Sequence, residues 1–108
     1  MATNYKVLGQ SFPVAATQTT LYTAPALTQT VCSTIAICNL GATTTFRIAI
    51  QPGNAALTDS QYIAYDAIIN ASDSKYLTIG ITLAPGDVIS VYSTTATISF
   101  NLFGTEIV

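Results

Sequence analysis

Apolar and polar residues alternate one for one along most of this chain, and no stretch carries apolar residues at the spacing of a helix face. A period of two is the signature of strands with one buried face. Phe46, Ile48 and Ile50 alternate with Arg47, Ala49 and Gln51. Val31, Ser33, Ile35 and Ile37 alternate with Cys32, Thr34, Ala36 and Cys38, giving one bulky face and one face of small residues, as suits a central strand packed on both sides. Leu77, Ile79, Ile81 and Leu83 alternate with Tyr76, Thr78, Gly80 and Thr82, and a further run covers Val88 to Ser93. Between them Pro85-Gly86 fits the centre of a type II turn, because proline presets φ and glycine tolerates positive φ. These two runs are therefore expected to be antiparallel neighbours. A last run sets Ala96, Ile98, Phe100 and Leu102 against Thr97, Ser99, Asn101 and Phe103, and ends at Gly104.

Breakers at Gly41, Pro52-Gly53-Asn54, Asn70 to Ser74 and Pro85-Gly86 cut the chain into short strands. The expected fold is all-β: a single antiparallel β-sandwich of jelly-roll or Ig-like type with about seven to nine short strands, filling residues 1–108 as one domain. Asn54 to Ser60 has room for a helical turn. Residues 10 to 20 show no period and contain Pro13, so residues 1–16 are expected to form an extended N-terminal arm.

Only 7% of the 108 residues are charged, against roughly 25% in an average soluble domain. Threonine alone supplies about one residue in six, so hydroxyl, amide and methyl groups must make up the surface. Lys6, Arg47 and Lys75 are dispersed, whereas a nucleic-acid binder needs clustered cations to neutralise phosphates. No nucleic-acid partner is expected. No apolar run approaches the ~20 residues that cross a bilayer, so no membrane partner is expected either. The start, Met1 to Lys6, lacks a basic segment followed by an apolar one, which implies synthesis in a cytoplasm.

The parts for catalysis are sparse. There is no histidine, and a serine nucleophile without one would need a lysine base, yet no Gly-x-Ser-x-Gly elbow occurs. Asp59, Asp66 and Asp73 recur every seven residues, but turns and strand ends account for all three. Asn70, Ser72 and Asp73 offer too few carboxylates for a calcium cage. No catalytic residue, no metal and no cofactor is expected. Cys32 and Cys38, six residues apart on one strand and one face, would stand ~20 Å apart and could not bridge, since a disulfide needs Cα atoms about 4.4–6.8 Å apart. Both are expected to be free thiols. Tyr5, Tyr22, Tyr62, Tyr65, Tyr76 and Tyr92 fit cross-strand packing better than a sugar-stacking platform.

A sandwich this poor in charge lacks the usual guards of sheet edges, edge lysines and inward charges, and is expected to need a permanent partner. The apolar residues least provided with cover lie at the two ends: Tyr5, Val7, Leu8 and Phe12, then Leu102, Phe103 and Ile107. Leu102 and Phe103 should point to opposite faces of the last strand. These seven are the expected interface, with the arm to about Ala16 lying on a neighbouring subunit.

Several strings carry a resemblance: Asn4-Tyr5-Lys6-Val7-Leu8-Gly9-Gln10, Thr45-Phe46-Arg47-Ile48-Ala49-Ile50, Tyr62-Ile63-Ala64-Tyr65-Asp66, Leu77-Thr78-Ile79-Gly80-Ile81-Thr82-Leu83, Asp87-Val88-Ile89-Ser90-Val91-Tyr92 and Ser99-Phe100-Asn101-Leu102-Phe103-Gly104-Thr105-Glu106. Together they resemble small virion structural proteins of tailed bacteriophages and cyanophages. The resemblance implies a β-sandwich attached in many copies to the particle, and it carries no site motif. Two readings follow. One is a non-enzymatic capsid decoration or cement protein, a homo-oligomer, with a trimer preferred, bound to the major capsid protein of the virion. The other is a tail- or fibre-associated module that recognises a host-surface glycan.

Overall fold

The computed structural model describes residues 2–108. Nine strands form: β1 (Thr3–Ser11), β2 (Thr19–Thr23), β3 (Gln29–Asn39), β4 (Thr44–Gln51), β5 (Tyr62–Ile69), β6 (Ser74–Leu77), β7 (Ile81–Leu83), β8 (Val88–Ser93) and β9 (Ile98–Ile107). Short 3-10 turns at Pro52–Asn54 and Asp59–Gln61 overlap the two ends of the segment Asn54 to Ser60, where a helical turn is expected, and the residues between them are not helical. The first sheet has the order β1-β9-β3-β6, with β7 also on β3, and the second has the order β2-β8-β4-β5. All pairings are antiparallel. If β6 and β7 are counted as one interrupted strand, this is the eight-strand jelly roll, two Greek keys folded into facing sheets. The Ig-like alternative is set aside.

The sheets face each other across a largely apolar core. Phe46 from the second sheet and Phe100 from the first meet edge to face, with centroids 6.2 Å apart. Ile35, Ile37, Ile48, Ile69, Ile89, Ile98 and Leu102 are fully buried around them. Full burial of such a side chain contributes about 1.5–3 kcal/mol.

Departures from strict alternation have local causes. Beside β9, β3 carries a bulge at Ser33: Cys32 pairs with Gly104 and Thr34 with Phe103. One extra residue exchanges the faces. Before the bulge, Thr30 and Cys32 point inward; after it, Ile35 and Ile37 do. Cys32 is therefore buried, while Cys38 lies on the outer face and is half-buried. The two thiols are free as expected, but they do not share a face. The β9 strand continues to Ile107 through Gly104, where the β3 backbone passes so closely that a Cβ would strike the carbonyl oxygen of Val31.

Two expected neighbours separate. The Pro85-Gly86 turn forms, with Gly86 at φ 86° and the Asp87 amide donating to the Ala84 carbonyl at 3.1 Å. However, β7 belongs to the first sheet and β8 to the second. A type II turn splays its flanking strands instead of matching the twist of a hairpin, so the chain crosses between sheets. The run from Leu77 to Leu83 is also broken: Thr78 to Gly80 leave the sheet, with Gly80 in the left-handed region at φ 66°.

Most of the expected N-terminal arm is a strand of the chain's own sheet. Thr3 to Ser11 pair with Phe100 to Ile107 of β9; alternation from the outward Tyr5 and Val7 sends Leu8 into the core, and a bulge there sets Gly9 on the same inner side. Residues 12–18 then connect to β2, and Ala16 is tied to β8 by its amide on the Ser93 carbonyl at 2.8 Å.

Candidate functional site

The outer face of the first sheet gathers four of the seven expected interface residues. Register places Tyr5 opposite Thr105, Val7 opposite Phe103 and Thr3 opposite Ile107, all directed away from the core. Val31, Thr34 and Ala36 of β3 and Tyr76 of β6 continue the same surface. Tyr5, Val7, Val31, Tyr76 and Phe103 are exposed. Phe12 is exposed just beyond the end of β1. Leu8 and Leu102 lie in the core because strict alternation from the outward Val7 and Phe103 sends each inward, so neither can meet a partner.

Among the described residues, no charged side chain lies on this face. Lys6 turns to the inner side of its strand, where it pairs with Glu106 at 2.9 Å, and Lys75 stands opposite the inward Ile37. Arg47, Asp59 and Asp66 belong to the other sheet or its loops, and Asp73 and Asp87 lie in turns. With β9 about 34 Å long and four strands at ~4.8 Å spacing, the flat area is about 650 Å², near the ~800 Å² per partner of a standard interface.

The edges are guarded after all, by geometry more than by charge. Edge strand β1 has its bulge at Leu8, β2 one at Leu21, and β5 breaks register twice, while the fourth edge is split into β6 and β7. Lys6 and Lys75 occupy the two edges of the first sheet. Bulges and edge lysines both oppose edge-to-edge pairing.

Lys6 also belongs to a buried polar clasp. Glu106 accepts from the Tyr22 hydroxyl at 2.6 Å and from Lys6, and the Tyr22 oxygen lies 2.9 Å from that of Thr30. Three strands of the first sheet are thereby tied to β2 of the second. The Tyr22 hydroxyl and the Lys6 ammonium hold the Glu106 carboxyl below its ordinary range. Burial, and then the hydrogen bond to Glu106, push the Tyr22 phenol up to about 12.

A different chemistry occupies the outer face of the second sheet. In β5, Tyr65 and Asp66 together oppose the single residue Arg47 of β4, and Asp66 takes φ 49°, a conformation aspartate tolerates better than most residues. The bulge thus aims two consecutive side chains at one guanidinium. Arg47 Nε donates to Asp66 Oδ1 at 2.6 Å. The guanidinium carbon lies 4.3 Å from the ring centroids of both Tyr65 and Tyr92, the latter its directly paired neighbour on β8. Tyr62 meets Tyr65 edge to face at 4.8 Å. Beside this cluster the cross-strand pair Ala49 and Ser90 is small, which leaves a depression of about 180 Å³ walled by Tyr62, Tyr92, Arg47, Leu57 and Gln18. The sequence shows Arg47 only as a scattered cation and Asp66 as a strand end, because the bulge that unites them has no residue signature. Leu27 is a further residue the sequence leaves unmarked: it sits at a loop tip with φ 58° and is 91% exposed.

Protein-family models give no match to this sequence, and neither do curated proteins. The structure is similar to a chain in the structure of infectious bursal disease virus, Gx strain, with a TM-score of 0.56 and 10% identity, over 97% of this chain and 32% of that one. At that identity the likeness is one of fold.

Proposed function

We propose that this chain is a non-enzymatic virion structural protein that docks in many copies through the outer face of the first sheet. The carrying observation is that face: wide and neutral, with exposed Tyr5, Val7, Val31, Tyr76 and Phe103 set among threonine and amide side chains and no charged side chain among the described residues, in a chain whose edges are guarded. Docking then proceeds by burying the face against a lattice protein, with strand pairing in a minor role. The jelly roll is an architecture of viral shells and also of lectins, and one solved structure that is similar in fold comes from a virus. Within this reading the chain acts as a capsid decoration or cement protein of a tailed phage. It associates with itself, in our preferred version as a trimer, and binds the major capsid protein, stabilising only the assembled state.

The test pairs copy number with a face variant. Quantitative mass spectrometry of purified particles should find copies in proportion to the capsid lattice; a handful per particle would instead place the protein in the tail or a fibre. The double variant Val7→Lys, Phe103→Lys puts two ammonium groups into the proposed contact, where burying an unpaired charge is prohibitive. It should fold normally by circular dichroism and fail to bind particles. Full-occupancy binding by that variant would refute the assignment of this face.

A further inference from the structure

We infer that the depression beside Arg47 on the second sheet is a binding subsite for a neutral pyranose ring. This site is independent of the docking face, since it lies on the opposite side of the sandwich.

Four observations select the ligand. First, the depression is bounded by aromatic rings, Tyr62 and Tyr92, over a floor of Ala49, Ser90 and Val91, and its 180 Å³ suits one six-membered sugar ring more than an extended peptide. The apolar C–H face of a pyranose stacks on a tyrosine ring, while its equatorial hydroxyls seek hydrogen bonds around the rim. Second, the rim supplies them. Among the described residues only Tyr22 of the six tyrosines uses its hydroxyl within the protein, so those of Tyr62 and Tyr92 are free. Gln18 donates its amide to Gln51 Oε1 at 3.2 Å and keeps its own carbonyl oxygen unused. Third, the site is preorganised. Gln51 is fixed by the Ser90 hydroxyl and by its own amide on the Ala55 carbonyl at 2.9 Å, and Arg47 is clamped between two rings and a carboxylate. Fourth, the charge is already cancelled. Asp66 neutralises Arg47, and Asp59 borders the adjoining hollow shared by Tyr62 and Tyr65, so an anionic sugar gains no unpaired cation and meets a carboxylate. That second hollow makes Tyr62 a wall common to two subsites, which favours a disaccharide over a single ring.

The test is titration of the purified full chain with neutral sugars (methyl glucoside, methyl galactoside, methyl mannoside, maltose, cellobiose, lactose and mannobiose) and with sialyllactose as the acidic comparison. Saturation-transfer NMR and tyrosine fluorescence would provide the readout. At least one neutral disaccharide should bind several-fold more tightly than the methyl glycoside of either component, and more tightly than sialyllactose. Tyr62→Ala should weaken that binding at least tenfold, with Tyr62→Leu as a second variant that keeps apolar bulk on the strand, both checked for folding by circular dichroism. Gln18→Ala should weaken it severalfold. Val7→Lys with Phe103→Lys should leave it unchanged, which separates failure here from failure of the docking face. Saturable binding of none of the neutral sugars, preference for sialyllactose, or binding that survives loss of the Tyr62 ring would overturn the inference.

Discussion

Replacing Tyr22 by phenylalanine isolates the clasp between the sheets, because the ring and its packing stay while one oxygen leaves. That oxygen donates to the Glu106 carboxylate at 2.6 Å and lies 2.9 Å from the Thr30 hydroxyl, in a buried setting. A hydrogen bond to a charged group contributes about 1.5–3 kcal/mol, so the expected loss is about 2 kcal/mol at neutral pH. For a domain of this size that is a fall in Tm of about 8 °C. The pH dependence gives a sharper signature. Tyr22 is raised from 10.0 to about 12, first by burial and then by Glu106, so its contribution is complete below about pH 10 and is lost as pH rises toward 12. Two pH units correspond to about 3 kcal/mol. Glu106 is lowered, first by Tyr22 and then by Lys6, so its contribution is present above the ordinary carboxylate range and is lost as pH falls through its folded value. Urea unfolding followed by circular dichroism from about pH 4 to about pH 11 should therefore show a gap between wild type and Tyr22→Phe that is widest near neutrality and narrows on both sides. A gap below about 0.5 kcal/mol at neutral pH, or one that does not change with pH, would refute the clasp as a source of stability.

Four other outcomes are expected. In native protein a thiol reagent should label Cys38 quickly and Cys32 hardly at all, since burial pushes the Cys32 thiol up to about 11; both should react after denaturation. Phe100→Ala, which empties the centre of the core opposite Phe46, should cost about 3–5 kcal/mol in urea unfolding. Gly104→Ala should destabilise the fold measurably in the same assay, because the new methyl group meets the β3 backbone rather than a flexible side chain. Deleting residues 2–11 removes β1, strips β9 of a partner and uncovers the core at Leu8, so cooperative thermal unfolding should disappear rather than a folded body remain without its arm.

What the sequence reveals is whatever depends on a residue and its near neighbours. The alternation in β4 and β9, the breakers at Gly41 and Pro52-Gly53-Asn54, and the turn at Pro85-Gly86 are legible because periodicity and φ preference are local properties. The partners of those strands are not. The type II turn is read correctly, and yet it joins different sheets, because sheet membership is settled by pairings with β3, β2 and β4 far along the chain. Bulges are illegible for the same reason. Ser33 slips where β3 passes between Gly104 and Phe103 of β9, and Leu8 where β1 passes between Phe103 and Leu102, and nothing in the strings around either residue marks it as supernumerary. Each slip inverts the faces downstream, which is why Cys32 and Cys38 part company and why Gly9 joins Leu8 on the inner side. The Arg47 cluster depends on a third slip, at Tyr65 and Asp66.

Those slips also decide how such a chain can associate. With 7% charged residues the surface has little repulsion to offer, and flat edges would pair with those of other copies. Every edge here is instead bent by a bulge or broken outright, and the two lysines stand on the edges of the first sheet, which is the sheet with the neutral face. Open-ended strand addition is disfavoured, whereas burial of a face remains open and is limited to one layer, because each face can be covered only once. The two faces differ in kind: one carries no charged side chain among the described residues, the other is aromatic and internally neutralised around Arg47. A protein that buries the first presents the second to whatever lies outside. Its orientation on a surface is therefore set by which side chains the bulges left in and which they turned out.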